Sequence, residues 1–361
     1  MNQNLLHQKL IDWYEMNHRI LPWRETEDPY KIWISEIILQ QTRVAQGMEY
    51  YHRLITRFPD IQSLADAHED EVLLYWQGLG YYSRARNMHK AAQLMKNHEI
   101  FHQAKGERQK AKDEDIFSAL RSMPGVGDYT AGAIASFAFN LPYPALDGNV
   151  YRVLSRLYDC EIAFDTTQGK KHFRKLAEDL LDRERPRLFN SAIMELGALV
   201  CLPTKPMCDE CPLRTWCQAL ANNTVELLPV RKPRVKVKDR YLQYTIYLTP
   251  ERTTLIHQRK EKDIWQHLWE FVLEETLLPQ SETSNSPQGV PYPIGGTPSH
   301  SEASCNLTHV LSHQKLHAWF VIKNVPELPE IPDTVVVHLS DLDNYAFSRL
   351  TLKAIEFLAQ S

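Results

Sequence analysis

The chain has 361 residues, a length that predicts two domains, and its formal net charge of −4 gives no hint for or against a nucleic-acid partner. The 43% hydrophobic fraction is ample for packed cores. No apolar run reaches the ~18 residues that a membrane helix needs, and the N-terminus lacks the pattern of a signal peptide. We therefore expect a soluble cytoplasmic protein with no membrane association.

The first ~225 residues predict a helical domain, because apolar residues recur there with the period of an α-helix. This spacing appears in three segments, Leu6–Trp13, Trp33–Gln41 and Ala85–Met95. The second segment follows Asp28-Pro29, which is typical of a helix start. Phe101–Asp115 is charged and predicts an exposed excursion.

The period changes after residue 240, where alternating runs rich in β-formers predict strands at Tyr241–Leu248, Leu316–Ile322 and Thr334–Leu339. Residues 1–225 and 241–361 are therefore the predicted domains, and Pro279–Ser304 predicts a mobile loop. Residues 226–240 form a basic linker that is either simply solvated or in contact with phosphates. Its cations are Arg231, Lys232, Arg234, Lys236, Lys238 and Arg240.

Four of the six cysteines cluster with the spacing C-x6-C-x2-C-x5-C, at Cys201, Cys208, Cys211 and Cys217. A disulfide framework is not expected in a cytosolic chain of this size. Four thiolates so close in sequence predict a metal centre, either tetrahedral zinc or an iron–sulfur cluster, and the spacing alone does not separate the two. Cys160 and Cys305 are isolated and predict small buried apolar residues.

Three polar features stand out in the helical domain, and each also has an ordinary structural explanation. Gly125 and Gly127 lie in a Pro-Gly-Val-Gly turn before a helix that starts near Asp128, which suits phosphate binding or a simple helical connection. Asp147 heads another apparent helix and, taken alone, predicts an N-cap. Glu36, Gln40 and Arg43 fall at i, i+4 and i+7, a polar stripe that predicts a solvated helix face.

Taken together, the turn, Asp147 and the cysteines resemble the helix-hairpin-helix DNA glycosylase superfamily. Further segments, Leu21–Arg24, Trp33–Arg43 and Gly78–Asn87, are similar to its adenine-specific MutY branch. The resemblance implies an α+β multidomain fold, in which an all-α helix-hairpin-helix domain with a [4Fe-4S] loop precedes a smaller α/β Nudix-like domain. It also implies excision of adenine opposite 8-oxoguanine or guanine in duplex DNA by a protein that acts as a monomer.

The resemblance assigns roles to individual residues. Glu36 becomes the general acid that protonates a flipped adenine, and Asp147 stabilises the oxocarbenium ion or traps it covalently. Tyr129 and Asn149 flank this pair. Tyr129 stands where the related glycosylase/lyases carry a lysine, and a phenol cannot form an imine. The implied substrate and DNA contacts are Arg24, Gln40, Gln41, Thr42, Tyr81, Gly125 and Gly127. Tyr82 is expected to be a core aromatic.

The C-terminal domain resembles the part of MutY that recognises 8-oxoguanine. Ser312 and His313 match the recognition loop, although Leu311 replaces the usual phenylalanine; without the resemblance, this pair predicts only a surface loop. The acidic residues Glu270, Glu274 and Glu275 lack the Nudix metal-binding motif, which disfavours a nucleotide pyrophosphatase.

Two different functions also fit parts of this pattern. One is that of a bifunctional glycosylase/lyase, which Tyr129 disfavours. The second is that of a non-catalytic iron–sulfur DNA-binding protein, which the presence of both Glu36 and Asp147 disfavours.

Overall fold

The computed structural model describes residues 2–102, 113–233, 237–276 and 304–360. Its internal contacts divide the chain into two compact units, residues 1–66 with 87–233, and residues 67–86 with 234–361. We call these the helical unit and the sheet unit. Two predicted segments fall largely outside the described residues. Of the predicted loop Pro279–Ser304, only Ser304 is described, and it begins a strand. Residues 103–112 of the predicted excursion are also not described.

The helical unit is built from α-helices, two pairs of which pack closely and position the candidate site. Helix α2 packs on α8, and α9 packs on α11. The helices are α1 (Gln3–Asn17), α2 (Pro29–Leu39), α3 (Val44–Arg57), α4 (Ile61–Asp66), α6 (Ser83–Met95), which contains the boundary between residues 86 and 87, α7 (Asp113–Ser122), α8 (Asp128–Phe139), α9 (Gly148–Leu157), α10 (Thr167–Leu180), α11 (Pro186–Leu199) and α12 (Gln218–Ala221). The helical prediction for this part of the chain is confirmed, and no helix among the described residues is long and apolar enough to cross a membrane.

Helix α2 starts as predicted but ends earlier. The Asp28 carboxylate accepts the N–H of Tyr30 at 2.9 Å, which caps the helix, and Pro29 occupies the first position. The helix stops at Leu39, and Gln41 has a left-handed backbone with φ 60°. The predicted stripe through Arg43 is therefore wrong, because the turn breaks the helical period before Arg43, which instead occupies the N-cap position of α3 without a side-chain capping hydrogen bond.

The α8–α9 loop approaches α8, and the first turn of α9 approaches α11, so closely that a glycine is required at each contact. A Cβ at Gly132 would lie 2.6 Å from the Pro144 carbonyl oxygen, and one at Gly197 would lie 2.6 Å from Cβ of Asn149. The buried Asn190 amide adds three hydrogen bonds; it accepts the Ala145 N–H and donates to the Tyr143 carbonyl and the Ser136 hydroxyl. These contacts fix the start of α9, where Asp147 and Asn149 lie.

The described residues of the sheet unit form a six-stranded sheet in the order β4-β5-β1-β3-β2-β6, in which β1 and β5 pair in parallel and the other neighbours pair antiparallel. The strands are β1 (Lys238–Leu248), β2 (Thr253–Gln258), β3 (Trp269–Thr276), β4 (Ser304–Val310), β5 (Gln314–Asn324) and β6 (Thr334–His338). Helices α5 (Glu69–Trp76) and α13 (Arg349–Gln360) complete the unit. Its core includes Tyr244, Phe271, Phe320 and Phe347.

The three predicted strands are confirmed, except that β6 stops one residue early, where a 3-10 helix begins. The linker region differs from its prediction, because Lys238 and Arg240 already belong to β1. The Arg240 guanidinium donates to Asp263 and Glu275, each at 2.7 Å, so it is not a free cation for phosphate. Lys232 stays in the helical unit, where its N–H bonds to Asp165.

Candidate active site

The centre of the candidate site is a carboxyl group buried in the helical unit. Glu36 is only 3% exposed, although its position in the sequence suggested a solvated face. The Tyr129 hydroxyl, from the first turn of α8, donates to Oε2 of Glu36 at 2.7 Å. The packing of α2 on α8 thus brings together two predicted site residues that lie 93 positions apart.

Burial raises the pKa of Glu36 above its ordinary value, because the desolvated carboxylate is costly. The positive charge of Arg24 and the Tyr129 hydrogen bond oppose this rise, and the negative charge of Asp147 adds to it. Burial also raises the pKa of Tyr129 well above its ordinary value, so Tyr129 is a neutral hydrogen-bond donor. The arrangement favours a protonated Glu36 at a higher pH than an exposed glutamate would allow.

Asp147 is both a helix cap and a site residue. One carboxylate oxygen accepts the Val150 N–H at 2.8 Å, as the sequence predicted for an N-cap. The other accepts from the Asn149 amide at 2.7 Å. Burial raises the pKa of Asp147, while these hydrogen bonds and Arg152 oppose the rise. The carboxylate is therefore held in one orientation from both sides.

Arg152 connects this aspartate to the cysteine loop. Its guanidinium donates to Oδ1 of Asn149 at 2.9 Å, to the Gly197 carbonyl at 2.8 Å and to the Cys201 carbonyl at 2.6 Å. No sequence pattern singled out Arg152. Its position in α9, three residues after Asn149, would have been the available signal, since residues at i and i+3 share a helix face.

Arg24 lies where α11 contributes polar side chains. Its guanidinium donates to the Ser191 hydroxyl at 3.1 Å and stands 4.0 Å from the centre of the Phe137 ring. Nearby Glu195 is buried, and its carboxylate accepts two hydrogen bonds from the Arg19 side chain, which lowers its pKa despite the opposing effect of burial. Glu195 was not among the predicted site residues, although a glutamate within the apolar part of α11 was an available signal.

The Pro-Gly-Val-Gly turn has the predicted form. Gly125 has φ 79°, and Gly127 is the N-cap of α8, which begins at Asp128 as expected. A Cβ at Gly127 would meet no atom within 4 Å, so space beside it is open. An adjoining cavity of about 320 Å³ is lined by Gly127 and Tyr129 as well as by Lys170 and Arg174.

Four of the predicted DNA contacts lie at two turns in which a non-glycine residue has a left-handed backbone. In the helical unit, the Gln40 amide donates to the Thr130 hydroxyl at 3.2 Å, exposed Gln41 is left-handed, and the Thr42 N–H closes the turn onto Leu39. In the sheet unit, Tyr81 has φ 49° and is 49% exposed. Left-handed backbone in non-glycine residues is costly and accumulates at functional sites.

All four clustered cysteines line one small cavity, together with apolar side chains such as Val200 and Leu220 and the cations Arg156 and Arg214. The Arg156 guanidinium lies 3.3 Å from Sγ of Cys201. Within the described ranges, no group of three or more His, Cys, Asp or Glu side chains is arranged as a site for a metal ion. The donor set and the compensating arginines fit a thiolate-bound centre. Of the isolated cysteines, Cys160 is buried as predicted and Cys305 only partly so.

The predicted recognition residues of the sheet unit form the tip of the β4–β5 hairpin. Ser312 and His313 are both exposed, and the Ser312 hydroxyl lies 3.1 Å from Nδ1 of His313. Leu311 instead packs partly against the core. The acidic residues lie on β3, not on a helix: buried Glu270 pairs with Arg259 at 2.8 Å, and Glu275 binds Arg240.

Comparison with known families agrees with this architecture. Residues 34–182 match the model of the HhH-GPD superfamily base excision DNA repair proteins, and residues 243–357 match a NUDIX domain. Among solved structures, a thermostable thymine-DNA glycosylase superposes with a TM-score of 0.53 at 24% identity over 61% of this chain and 97% of that one, which shows a shared fold. Fold and site together define a base excision DNA repair protein with a Nudix-like domain.

Sequence relatives narrow the class. The adenine DNA glycosylase of Buchnera aphidicola (subspecies Baizongia pistaciae) is 34% identical over 79% of both chains. The mouse and human adenine DNA glycosylases are each 39% identical over 58% of this chain, covering 41% and 38% of their own lengths. The chain belongs to the adenine DNA glycosylase family, whose members are base excision repair hydrolases that act on N-glycosyl bonds.

The Arg152 contacts predict a role in orienting Asn149. In Arg152→Lys, a single ammonium group cannot reach the Asn149, Gly197 and Cys201 acceptors as a guanidinium does. We expect single-turnover base release to slow by about tenfold to a hundredfold, because small misplacements of reacting groups are costly. DNA affinity should be unchanged. Arg185→Lys, which alters the ion pair with Asp182 at 3.0 Å, is the matched control; equal rates in all three proteins would contradict the assignment.

Proposed function

We propose that this adenine DNA glycosylase excises adenine opposite 8-oxoguanine or guanine, after flipping it from the duplex, and leaves the DNA strand intact. The observation that carries the proposal is the buried Glu36 carboxyl, whose pKa is raised beside a second carboxyl group, Asp147. Two carboxyl groups with different environments are the arrangement that glycoside hydrolysis uses.

In the first step, neutral Glu36 gives its proton to a ring nitrogen of adenine, which makes the base a better leaving group. The bond between C1′ and N9 then breaks, and its electron pair leaves with the base. Positive charge develops on the sugar, where the Asp147 carboxylate stabilises it electrostatically or as a covalent adduct. Water adds at C1′ and returns a proton to Glu36, which restores the starting state.

Three polar side chains support these steps. The Asn149 hydrogen bond keeps one Asp147 oxygen fixed, and the Val150 N–H holds the other. Arg24, close enough to Glu36 to affect its pKa, offers its guanidinium to the adenine edge. Tyr129 carries no amine, so it orients Glu36 but forms no imine with C1′. This difference supports hydrolysis without an efficient lyase step.

The remaining predicted site residues would contact the DNA around the flipped adenine. Gly125 and Gly127 let backbone N–H groups approach a phosphate at the start of α8, a contact that is independent of base sequence. Extrusion of a base costs a few kcal/mol of stacking, least at a mispair. By the resemblance, Gln40, Gln41 and Thr42 match wedge residues that fill or probe the resulting gap, and Tyr81 matches a wedge residue beside the base opposite adenine. Exposed Ser312 and His313 would bind the N7–H and O8 edge of the lesion.

We infer that Cys201, Cys208, Cys211 and Cys217 hold a [4Fe-4S] cluster, which distributes its ligands around several irons instead of a single ion. The cavity that the cysteines line and the nearby Arg156 guanidinium support this inference. Through the Cys201 carbonyl and Arg152, a cluster at this position would also stabilise the segment that carries Asn149 and Asp147.

The cluster assignment predicts that Cys208→Ser loses most of its bound iron and its visible absorbance. Cys160→Ala, which removes a buried thiol outside the cluster loop, should retain both. Metal analysis and absorption spectra of the purified variants measure this directly. Wild-type protein that contains stoichiometric zinc and no iron would instead support a tetrahedral zinc site.

The proposed reaction is tested by single-turnover assays on duplexes that carry adenine opposite 8-oxoguanine, guanine or thymine. Wild-type protein should release adenine from the first two, and strand breaks should appear only after alkali. Asp147→Asn should bind these duplexes but react at least about a hundredfold more slowly. Changing Ser312 and His313 together to alanine should reduce the preference for 8-oxoguanine. Strand breaks without alkali would indicate a lyase and overturn the proposal.

The Glu36–Tyr129 contact predicts a specific pH dependence. Glu36 acts in its protonated form, so base release persists below its raised pKa and is lost as pH increases through that value. The Tyr129 hydroxyl favours the ionised carboxylate, hence Tyr129→Phe should raise the pKa further. Above the wild-type midpoint, the variant should retain a larger fraction of its own maximal single-turnover rate. An alkaline limb that is unchanged or displaced to lower pH would contradict the role of Glu36.

A further inference from the structure

The turn that carries Tyr81 is unusually strained. It links α5, which ends at Trp76, to α6, which begins at Ser83. Gly78 and Gly80 have φ values of 91° and 77°, and Tyr81 follows at 49°. Glycine adopts this region freely, but a tyrosine there costs free energy and needs support from its surroundings.

Residues on both sides of the turn form hydrogen bonds with the backbone of one residue, Phe347. Before the turn, Oε1 of Gln77 accepts the N–H of Phe347 at 2.7 Å. After it, the hydroxyl of buried Tyr82 donates to the Phe347 carbonyl at 3.1 Å and accepts the Gly78 N–H at 3.1 Å. Both backbone groups of Phe347 are thus bonded to residues close to Tyr81. We call this arrangement the Phe347 clamp.

Phe347 is itself firmly held within the sheet unit. Its side chain is 1% exposed and belongs to the core, with its ring 6.3 Å from that of Phe271 on β3. The preceding carbonyl, of Ala346, accepts the Trp269 N–H at 2.8 Å. The clamp therefore ties an exposed, strained turn to the core of the same unit.

Other hydrogen bonds attach the rest of residues 67–86 to this unit. The Arg86 guanidinium donates to the Gln266 carbonyl at 2.6 Å, and the Gln258 amide donates to Asp70 at 2.9 Å. These two bonds lie at the ends of the segment, whereas the Phe347 clamp acts at its centre. The Phe347 clamp bonds the residues on either side of the turn, while the Gly80 carbonyl next to Tyr81 accepts from Nε1 of Trp76 at 3.0 Å and from the Arg84 guanidinium at 3.1 Å.

We propose that Gln77 and Tyr82 are positioning residues for opposite-base recognition, which act by holding Tyr81 through the Phe347 clamp. This inference depends on the proposed function, in which Tyr81 lies beside the base opposite adenine. It gives the sheet unit a second part in specificity: besides presenting Ser312 and His313, it holds the turn that carries the wedge. Tyr82 is then more than the core aromatic that its burial indicates.

Tyr82→Phe is the informative substitution, because it keeps the buried ring and removes only the bridging hydroxyl. Tyr30→Phe is its matched control: Tyr30 is 3% exposed, and its hydroxyl donates to the Phe58 carbonyl at 2.7 Å in the helical unit. Both variants lose a buried hydrogen bond, so both should unfold more easily. Only Tyr82→Phe should affect the Tyr81 turn.

The test is a double-mutant cycle of Tyr82→Phe and Tyr81→Ala, read as the ratio of single-turnover rates on adenine:8-oxoguanine and adenine:guanine duplexes. Tyr82→Phe should lower this ratio by about tenfold, the factor that corresponds to one lost hydrogen bond. It should have no further effect in the Tyr81→Ala background, since residues that act through one another are not additive. Tyr30→Phe should leave the ratio unchanged. An equal decrease with and without Tyr81, or no decrease, would overturn the proposal.

Hydrogen exchange of the free protein separates failure of the Phe347 clamp from failure of the proposed function. Peptides that cover residues 78–81 should exchange faster in Tyr82→Phe than in wild type or Tyr30→Phe, because the Gly78 N–H loses its acceptor. Unchanged exchange would overturn the clamp whatever the substrate preference. If exchange is faster in Tyr82→Phe but the wild-type protein shows no preference for 8-oxoguanine, the clamp exists and the opposite-base role of Tyr81 is wrong. The inferred positioning role would then be wrong as well.

Discussion

The desolvation of one carboxyl group is the constraint on which the candidate site depends. Glu36 is buried on a helix that packs against α8, and water cannot stabilise its charged form. Its environment contains one hydroxyl donor, Tyr129, and opposing charges from Arg24 and Asp147. An isolated buried carboxylate is expensive, whereas a neutral carboxylic acid is not. The same burial that costs folding energy when Glu36 is ionised therefore favours the neutral acid that the proposed general-acid step requires.

The second carboxyl group, Asp147, is held in place by hydrogen bonds to both of its oxygens. As the N-cap of α9 it has a structural hydrogen bond that any capping aspartate would make, and the catalytic proposal uses the oxygen beside it. The contacts of Asn149 and Arg152 extend this fixed geometry to the Cys201 carbonyl. A cluster bound there would influence the rate through the position of the carboxylate.

Local patterns predicted much of the fold. The cap at Asp28, the cap at Asp147 and the strands of the sheet unit follow from interactions between near neighbours in the chain. The burial of Glu36 could not be predicted in this way, because a polar residue on an apolar helix gives the same sequence pattern whether its side chain faces water or a closed site. The union of residues 67–86 with the sheet unit also escaped prediction, since it depends on hydrogen bonds between segments about 265 residues apart, such as Tyr82 with Phe347. Family resemblance supplied site roles that periodicity alone assigned to surface or core.

The central claim, that burial keeps Glu36 protonated for catalysis, is tested most directly by titrating this one group. Carbon-13 NMR of protein labelled at glutamate carboxyl carbons gives each titration midpoint, and the resonance missing from Glu36→Gln identifies Glu36. We expect its midpoint to lie above the ordinary glutamate value of 4.5. A midpoint at or below that value would show that Glu36 is ionised under working conditions, and the proposed general-acid step would be wrong.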